Sequence, residues 1–398
     1  MRSAFAPRWS IRPDTVFLNH GSFGACPTEV SNYRKDLLYE LESQPLDFIL
    51  RRYMPVVPDI LRKLETFTGA FPGSVVLVPN ATTGVNTVLS NLRLNPGDEL
   101  LTTGQEYFAS RNALQFYADR NKARVLEVPI EVPVSGPDQI IDSIISRVTG
   151  RTVLVLVDHV SSQTGMILPI EKLIQKLDEL GIDVLVDGAH GPGMLPLNLK
   201  ELGAAYYTGN CHKWMCAPKT AALLYVRPDR QNGFRPAVMS HFASDFESGL
   251  SGFQAEFFWN GTIDPTPRMT IPFVIDYMEK LHPEGWNGIM RENHEKVVRA
   301  SELISRKLGL QLACPANMLG SMGSVILPYK PPSALPPPEG IDALQNWLLE
   351  EKQIEIPVIF TDNPRGRFLR LSAQLYNGDA EYEYLATSLQ GRTYLSNL

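Results

Sequence analysis

A chain of 398 residues, 44% hydrophobic and 20% charged, has the composition of a globular protein and is long enough for two domains rather than one small core. With 43 acidic against 37 basic residues and a net charge of −6, nothing favours nucleic acid or an anionic membrane as a partner. Four scattered cysteines (Cys26, Cys211, Cys216, Cys314) make neither a disulfide framework nor a paired zinc site. No stretch has the apolar core of a signal peptide or the roughly 18 apolar residues of a membrane span, so a cytoplasmic protein without a metal is expected.

In chain order, Val16 to Leu18 is a short extended piece that breaks into the loop Asn19-His20-Gly21-Ser22-Phe23-Gly24. Such a loop is either a tight turn or a place where Asn19 and His20 reach a site. Thr28 suits an N-cap for a helix through Tyr33 to Glu42, which Pro45 ends. Pro55 to Ala70 puts Ile60, Leu61, Leu64 and Phe67 on one face of a second helix. The apolar run Val75 to Val78 leads through Pro79-Asn80-Ala81-Thr82-Thr83-Gly84 into a third. Free N–H groups and the positive end of the helix dipole converge at Thr82 and Thr83, which are therefore an anion cradle or an ordinary N-cap.

Strand-like and helix-like segments then alternate. Glu99 to Thr103 passes through Gln105-Glu106-Tyr107 to a helix over Ser110 to Asp119 and a strand over Ala123 to Ile130. A further helix runs to about Val148. Thr152 to Val157 is apolar on both faces, as a covered parallel strand is, and ends in the polar loop Asp158 to Gly165. A helix over Ile170 to Leu180, a run from Ile182 into Asp187, a run from Ala204 to Thr208 leading to Lys213, and Thr220 to Val226 complete the series. The order predicts an α/β fold with a mostly parallel seven-stranded sheet flanked by helices and a ligand crevice at the strand ends.

Past about residue 270 the pattern changes to two helices (Thr270 to Leu281, Ile289 to Leu308), a strand (Gly323 to Leu327) and a proline-rich loop. A helix (Ile341 to Lys352) and the strands Glu355 to Phe360 and Phe368 to Ser372 make up the rest of a smaller α+β unit. The expected division is an N-terminal segment, 1–50, packing with the small domain or the active site, a large domain, 51–270, and a small domain, 271–398.

Asp187 and Lys213 lie 26 residues apart, each at the end of an apolar run. An isolated aspartate or lysine is usually a solvated surface charge. Delivered together to buried strand ends, the two could hold an aromatic nitrogen cofactor between them. Pyridoxal 5'-phosphate (PLP) needs such a set: a lysine for a Schiff base, a carboxylate that keeps the pyridine nitrogen protonated, an anion cradle, and something flat against the ring. Lys213 would also be the base that moves a Cα proton.

The run Val184-Leu185-Val186-Asp187-Gly188-Ala189-His190 with His212-Lys213 resembles the fold-type I PLP enzymes of aminotransferase class V. Leu18 to Gly24, Pro45-Leu46-Asp47-Phe48 and Tyr207 to Trp214 resemble its isopenicillin N epimerase-like branch, related to cysteine desulfurases, and the resemblance covers nearly the whole chain. It implies that Lys213 carries the Schiff base, Asp187 pairs with the pyridinium, His190 lies beside the ring hydroxyl, and Thr82, Thr83 and His212 hold the phosphate. Tyr107 takes the place of a ring-stacking histidine, Asn210 that of a phosphate-binding serine, and Ser162 a position near the ring hydroxyl and substrate. Trp259-Asn260-Gly261-Thr262 resembles a segment that reaches the phosphate of the neighbouring subunit, which implies a homodimer with shared active sites. Arg370 matches an arginine that grips the substrate α-carboxylate. Arg51 and Arg52 are candidates for a second carboxylate contact or solvated surface charges.

Desulfurase chemistry needs a mobile cysteine before the late helix, and Ser321 to Gly340 contains none; Cys314, just upstream, reads as a small core residue. The expected activity is abstraction of the Cα proton of an amino-acid-type substrate, most like the epimerase, with His20, Tyr107 and His190 as candidates for a second acid. The alternatives are a cysteine-derived C–S lyase, an amine transferase, and a non-catalytic module on the same fold. Met239 to Phe242 and Phe257 to Trp259 form an aromatic stretch that suits a roomy pocket or a dimer interface.

Overall fold

The computed structural model describes residues 2–241, 250–329 and 341–390. Its strands, in chain order, are β1 (Val16–Phe17), β2 (Val75–Val78), β3 (Glu99–Thr103), β4 (Arg124–Val128), β5 (Thr152–Asp158), β6 (Asp183–Asp187), β7 (Tyr206–Asn210), β8 (Ala222–Val226), β9 (Met322–Ile326), β10 (Ile354–Glu355), β11 (Val358–Asp362) and β12 (Arg365–Ser372). Seven of them form one sheet in the order β2-β8-β7-β6-β5-β3-β4, parallel except for β8, which runs antiparallel to both neighbours. The central strands are buried almost end to end because helices cover both faces, which is why they read as unbroken apolar runs. In the β5–β6 register, Asp158 stands opposite Asp187, so two acids finish adjacent strands at the same edge.

The second sheet is antiparallel, β11-β12-β9, and packs on the long helix Gly285–Leu308, itself backed by the helix Asp379–Leu389. The sequence pattern gives no sign of this last helix. The Glu355 to Phe360 strand proves to be two, β10 and β11, separated at Ile356-Pro357, because a proline supplies no N–H for a ladder. β1 pairs in parallel with β10, so the N-terminal segment joins the chain's C-terminal part through main-chain hydrogen bonds. The proline-rich loop at 331–338 and Phe242 lie outside the described residues.

Two caps differ from expectation. Thr28 is the first helical residue of Thr28–Ser43 and Pro27 holds the cap position without a side-chain bond. The helix Ala81–Asn91 is capped by Asn80, whose Oδ1 accepts from Thr83 N at 2.8 Å and Thr83 Oγ1 at 3.0 Å. An asparagine two residues before Thr82 makes the better cap, and Thr83 is used up in holding it. This helix approaches β7 closely: a Cβ on Gly84 would come within 2.1 Å of Thr208 Oγ1.

β12 carries two buried arginines, Arg367 and Arg370, three residues apart and so on opposite faces of the strand. Arg367 is neutralised by a bidentate pair with Asp342 at 2.8 and 2.7 Å. Asp342→Ala leaves that guanidinium buried and uncompensated, and an urea titration should show a loss of about 3–5 kcal/mol. Adding Arg367→Met to the same chain should recover most of it, because the stranded charge is then gone.

Candidate active site

The site assembles at the carboxyl ends of β5, β6 and β7. Asp187, 2% exposed, closes β6 and accepts from Ser110 Oγ at 2.8 Å and Ala189 N at 3.1 Å. Burial pushes its carboxyl above the usual range, while these donors and the nearby Lys213 pull it back.

Three residues past β7, Lys213 Nζ lies 3.1 Å from His190 Nε2, and Trp214 Nε1 lies 3.1 Å from His190 Nδ1. An indole nitrogen can only donate, so His190 Nδ1 must accept, and the neutral ring then carries its proton on Nε2. That N–H faces Lys213, and the contact is a hydrogen bond only if Lys213 is a free amine; an ammonium would set donor against donor. Electrostatics agree. Burial, with Arg370 adding to it, pulls Lys213 down to about 8, and burial with Lys213 beside it holds His190 well below its ordinary value. Above about pH 8 the pair is an uncharged amine and an uncharged imidazole, the form that suits a nucleophile and base.

The main chain under Lys213 is braced from the N-terminal loop. Gly24 adopts φ 68°, and a Cβ there would lie 2.2 Å from His212 O and 2.9 Å from Lys213 Cα. His20, expected to reach substrate, is fully buried behind this turn: Nε2 donates to Lys213 O at 3.0 Å and Nδ1 accepts from Tyr376 OH at 2.9 Å. Burial pulls it down to about 3, so it is a neutral strut. Asn19 acts at one remove as well, accepting from Ser22 Oγ.

Arg370, 2% exposed, donates through Nη2 to Ser22 Oγ at 2.9 Å and through Nη1 to the Ser162 carbonyl and, at 3.5 Å, to Ser162 Oγ. Its Nε has no partner, and among the described residues no carboxylate pairs with it. Burial pulls the guanidinium down to about 10. A buried cation with a free donor edge is expensive to maintain unless an anion completes it.

At the start of the helix Ala81–Asn91, Asn210 Oδ1 accepts from Ala81 N at 2.9 Å and ties β7 to the helix. With Thr83 held by Asn80, the Thr82 amide and hydroxyl remain free for an anion at the positive end of the helix. His212 donates from Nδ1 to Ala221 O at 3.0 Å and burial pulls it down to about 4, so its Nε2 is an acceptor unless an anion brings a proton. Tyr107, 45% exposed, leads into the helix Phe108–Arg120 next to the Asp187–Ser110 pair. Thr262 is exposed on a loop, and Arg51 and Arg52 form surface pairs with Asp47 and Glu40 at 3.2 and 2.8 Å.

Sequence reading misses Ser110, Trp214, Ser22, Glu106 and Asp158. Of these only Asp158 carried a signal, since it closes an all-apolar strand as Asp187 does. The free lysine, the buried carboxylate, the open helix N-terminus and the unpaired arginine together match what PLP requires of a protein.

Residues 56–328 match the aminotransferase class-V family. The chain is 31% identical over 400 residues to a probable chloroplastic L-cysteine desulfhydrase of Arabidopsis thaliana, covering 95% of this chain and 83% of that one. It is also 31% identical over 402 residues to the isopenicillin N epimerase of Streptomyces clavuligerus, with 97% of each covered. Its fold is that of a C-DES mutant solved with glycine covalently linked to its PLP cofactor, with a TM-score of 0.79 at 19% identity over 96% of this chain and 98% of that one. No helix among the described residues is long and apolar enough to cross a membrane. The chain belongs to the aminotransferase class-V family of PLP-dependent enzymes.

Proposed function

We propose that this enzyme cleaves the C–S bond of a cysteine-derived amino acid by β-elimination. The observation that carries the reading is Arg370: a buried guanidinium with, among the described residues, an unpaired Nε and no acidic partner, close enough to Lys213 to depress its proton affinity. Such a group is shaped for the α-carboxylate of an amino acid, which it would hold with the Cα facing Lys213.

When bound, PLP supplies the electron sink that lets a Cα proton leave. The neutral Nζ of Lys213 takes that proton. The electron pair left behind forms the Cα=Cβ bond as the Cβ–S bond breaks, and the departing sulfur takes the proton that Lys213 has just acquired, so that Lys213, positioned by His190, ends the step as a free amine again. With L-cysteine the products, after water adds, are sulfide, pyruvate and ammonia.

Two features favour elimination over epimerisation. Returning the proton to the opposite face of Cα requires a second acid there, yet His190 touches Lys213 itself and His20 is sealed behind it. That leaves only the half-exposed Tyr107 of the three candidates. Persulfide transfer is disfavoured, because Cys211, Cys216 and Cys314 are buried, with Cys211 and Cys314 pushed up to about 12, and burial also raises the half-buried Cys26 thiol.

The PLP-loaded enzyme given L-cysteine or an S-substituted cysteine should release thiol or sulfide and pyruvate in equal amounts. Solvent deuterium entering Cα with racemisation, and no pyruvate, would sink the elimination and restore the epimerase. Lys213→Ala should lower turnover by about 10²–10⁴-fold.

Arg370→Met should leave most of kcat but raise KM, with kcat/KM lower by about 30-fold or more, for a lost buried charge pair of ~2–5 kcal/mol.

The rate at which cofactor-free protein captures PLP should rise with pH as Lys213 loses its proton and flatten above about 8. Trp214→Phe frees the imidazole to present an acceptor to an ammonium, so the midpoint should move up toward that of an ordinary lysine; an unchanged midpoint would refute the tautomer assignment.

A further inference from the structure

Behind Asp187 lie two carboxyl groups that the proposed reaction does not use. Glu106 follows β3 and Asp158 ends β5, and one carboxyl oxygen from each, with one from Asp187, all lie within 4.8 Å of one another. Their exposures are 0%, 2% and 2%. Three negative charges so close and so dry repel one another too strongly to coexist without a compensating cation.

Hydrogen-bond donors decide which group is charged. Asp187 has two, Ser110 Oγ and Ala189 N. Among the described residues neither oxygen of Glu106 makes a hydrogen bond, and neither does Asp158 Oδ2, although the Tyr107 and Asp158 amides near Glu106 pull its carboxyl back in part. The charged and titratable groups that face the cluster do not change this. The Arg111 guanidinium, on the helix Phe108–Arg120, is engaged by Glu127 at 3.0 Å and Asp362 at 3.8 Å. Lys213, pulled by burial down to about 8, supplies at most one positive charge against three carboxyl groups. The Tyr207 phenol, on β7, is held by His159 at 3.0 Å. Burial and mutual repulsion keep Glu106 and Asp158 well above the usual carboxylate range.

We propose that Glu106 and Asp158 stand as un-ionised acids whose O–H groups are shared with the one ionised carboxylate, Asp187, and keep it a weak base toward the ring nitrogen of PLP. The trio then carries two protons and a single negative charge through neutral pH. An anion that receives these hydrogen bonds gives up less of its charge to a new proton, so a proton between Asp187 and the ring stays on the ring. Glu106 is thus a positioning residue that acts through Asp187. The inference goes beyond the proposed elimination and does not depend on the fate of the substrate.

The test begins on the cofactor-free full chain carrying 13C-labelled glutamate or aspartate. At pH 7 to 8 the infrared spectrum should show the carbonyl stretch of an un-ionised acid in each labelled sample, and Glu106→Gln should abolish it in the glutamate sample. Ionised carboxylates only, or one equivalent of divalent metal found in the purified protein by elemental analysis, would overturn the proposal. Since the folded chain keeps protons that the unfolded chain releases, the unfolding constant should rise with pH above the ordinary carboxylate range, by about tenfold per unit less steeply in Glu106→Gln. In protein loaded with ring-15N PLP, Glu106→Gln, which keeps an N–H donor, should leave the nitrogen signal in the protonated range, and Glu106→Leu should shift it toward the unprotonated. Equal shifts in both variants, or none in either, would overturn the assignment. If Glu106→Leu fails to fold, the infrared result on the wild type and Glu106→Gln still decides.

Discussion

The hydrogen bond from the Trp214 indole to His190 Nδ1 sets the protonation of the whole centre. It fixes the imidazole tautomer, the tautomer disfavours an ammonium on Lys213, and burial lowers the amine's proton affinity in the same direction. Around this chain of consequences the rest of the fold acts as a frame. His20 and Gly24 hold the main chain of Lys213 from behind, and the register of β5 against β6 brings the acids to the opposite side. Each brace is itself neutral or backbone, so the frame adds no charge that would disturb the pair it supports.

The molecule treats its buried charges in two ways, and the contrast separates structure from chemistry. Arg367 is fully compensated by Asp342 and has no donor to spare toward a ligand. Arg370, on the same strand, is held by a carbonyl and two hydroxyls that orient it without neutralising it. Neutral ligands position a cation and leave its field intact, at a standing cost in stability.

The legible part of the sequence was the part where one residue's surroundings are set by its own strand. Asp187, Lys213 and the seven-stranded sheet were readable because a parallel sheet covered on both faces writes itself as unbroken apolar runs, and polar residues at their ends must serve something. Arg370 was read through resemblance, and the resemblance also named the family. What was not readable depends on partners far along the chain. Trp214 looks like core until its N–H is seen against His190, 24 residues earlier. Glu106 looks like a loop carboxylate until Asp158 and Asp187 close around it. His20 illustrates the same limit in reverse: a glycine-rich loop cannot reveal which of its side chains turns inward, and this one turned in far enough to become a support.

Arg370 also sits at a joint. Its guanidinium, carried on the three-stranded sheet, reaches Ser22 in the N-terminal loop and Ser162 at the carboxyl end of the seven-stranded sheet. Three stretches far apart in the sequence therefore meet on one side chain that keeps a buried, unpaired donor among the described residues. A carboxylate arriving there would be a fourth member of that knot, so the ligand would contribute to the rigidity of the protein as well as consume its activity. Occupancy should be felt in the slow exchange of main-chain amides in β12 and in the 161–165 loop, well away from the bond being broken.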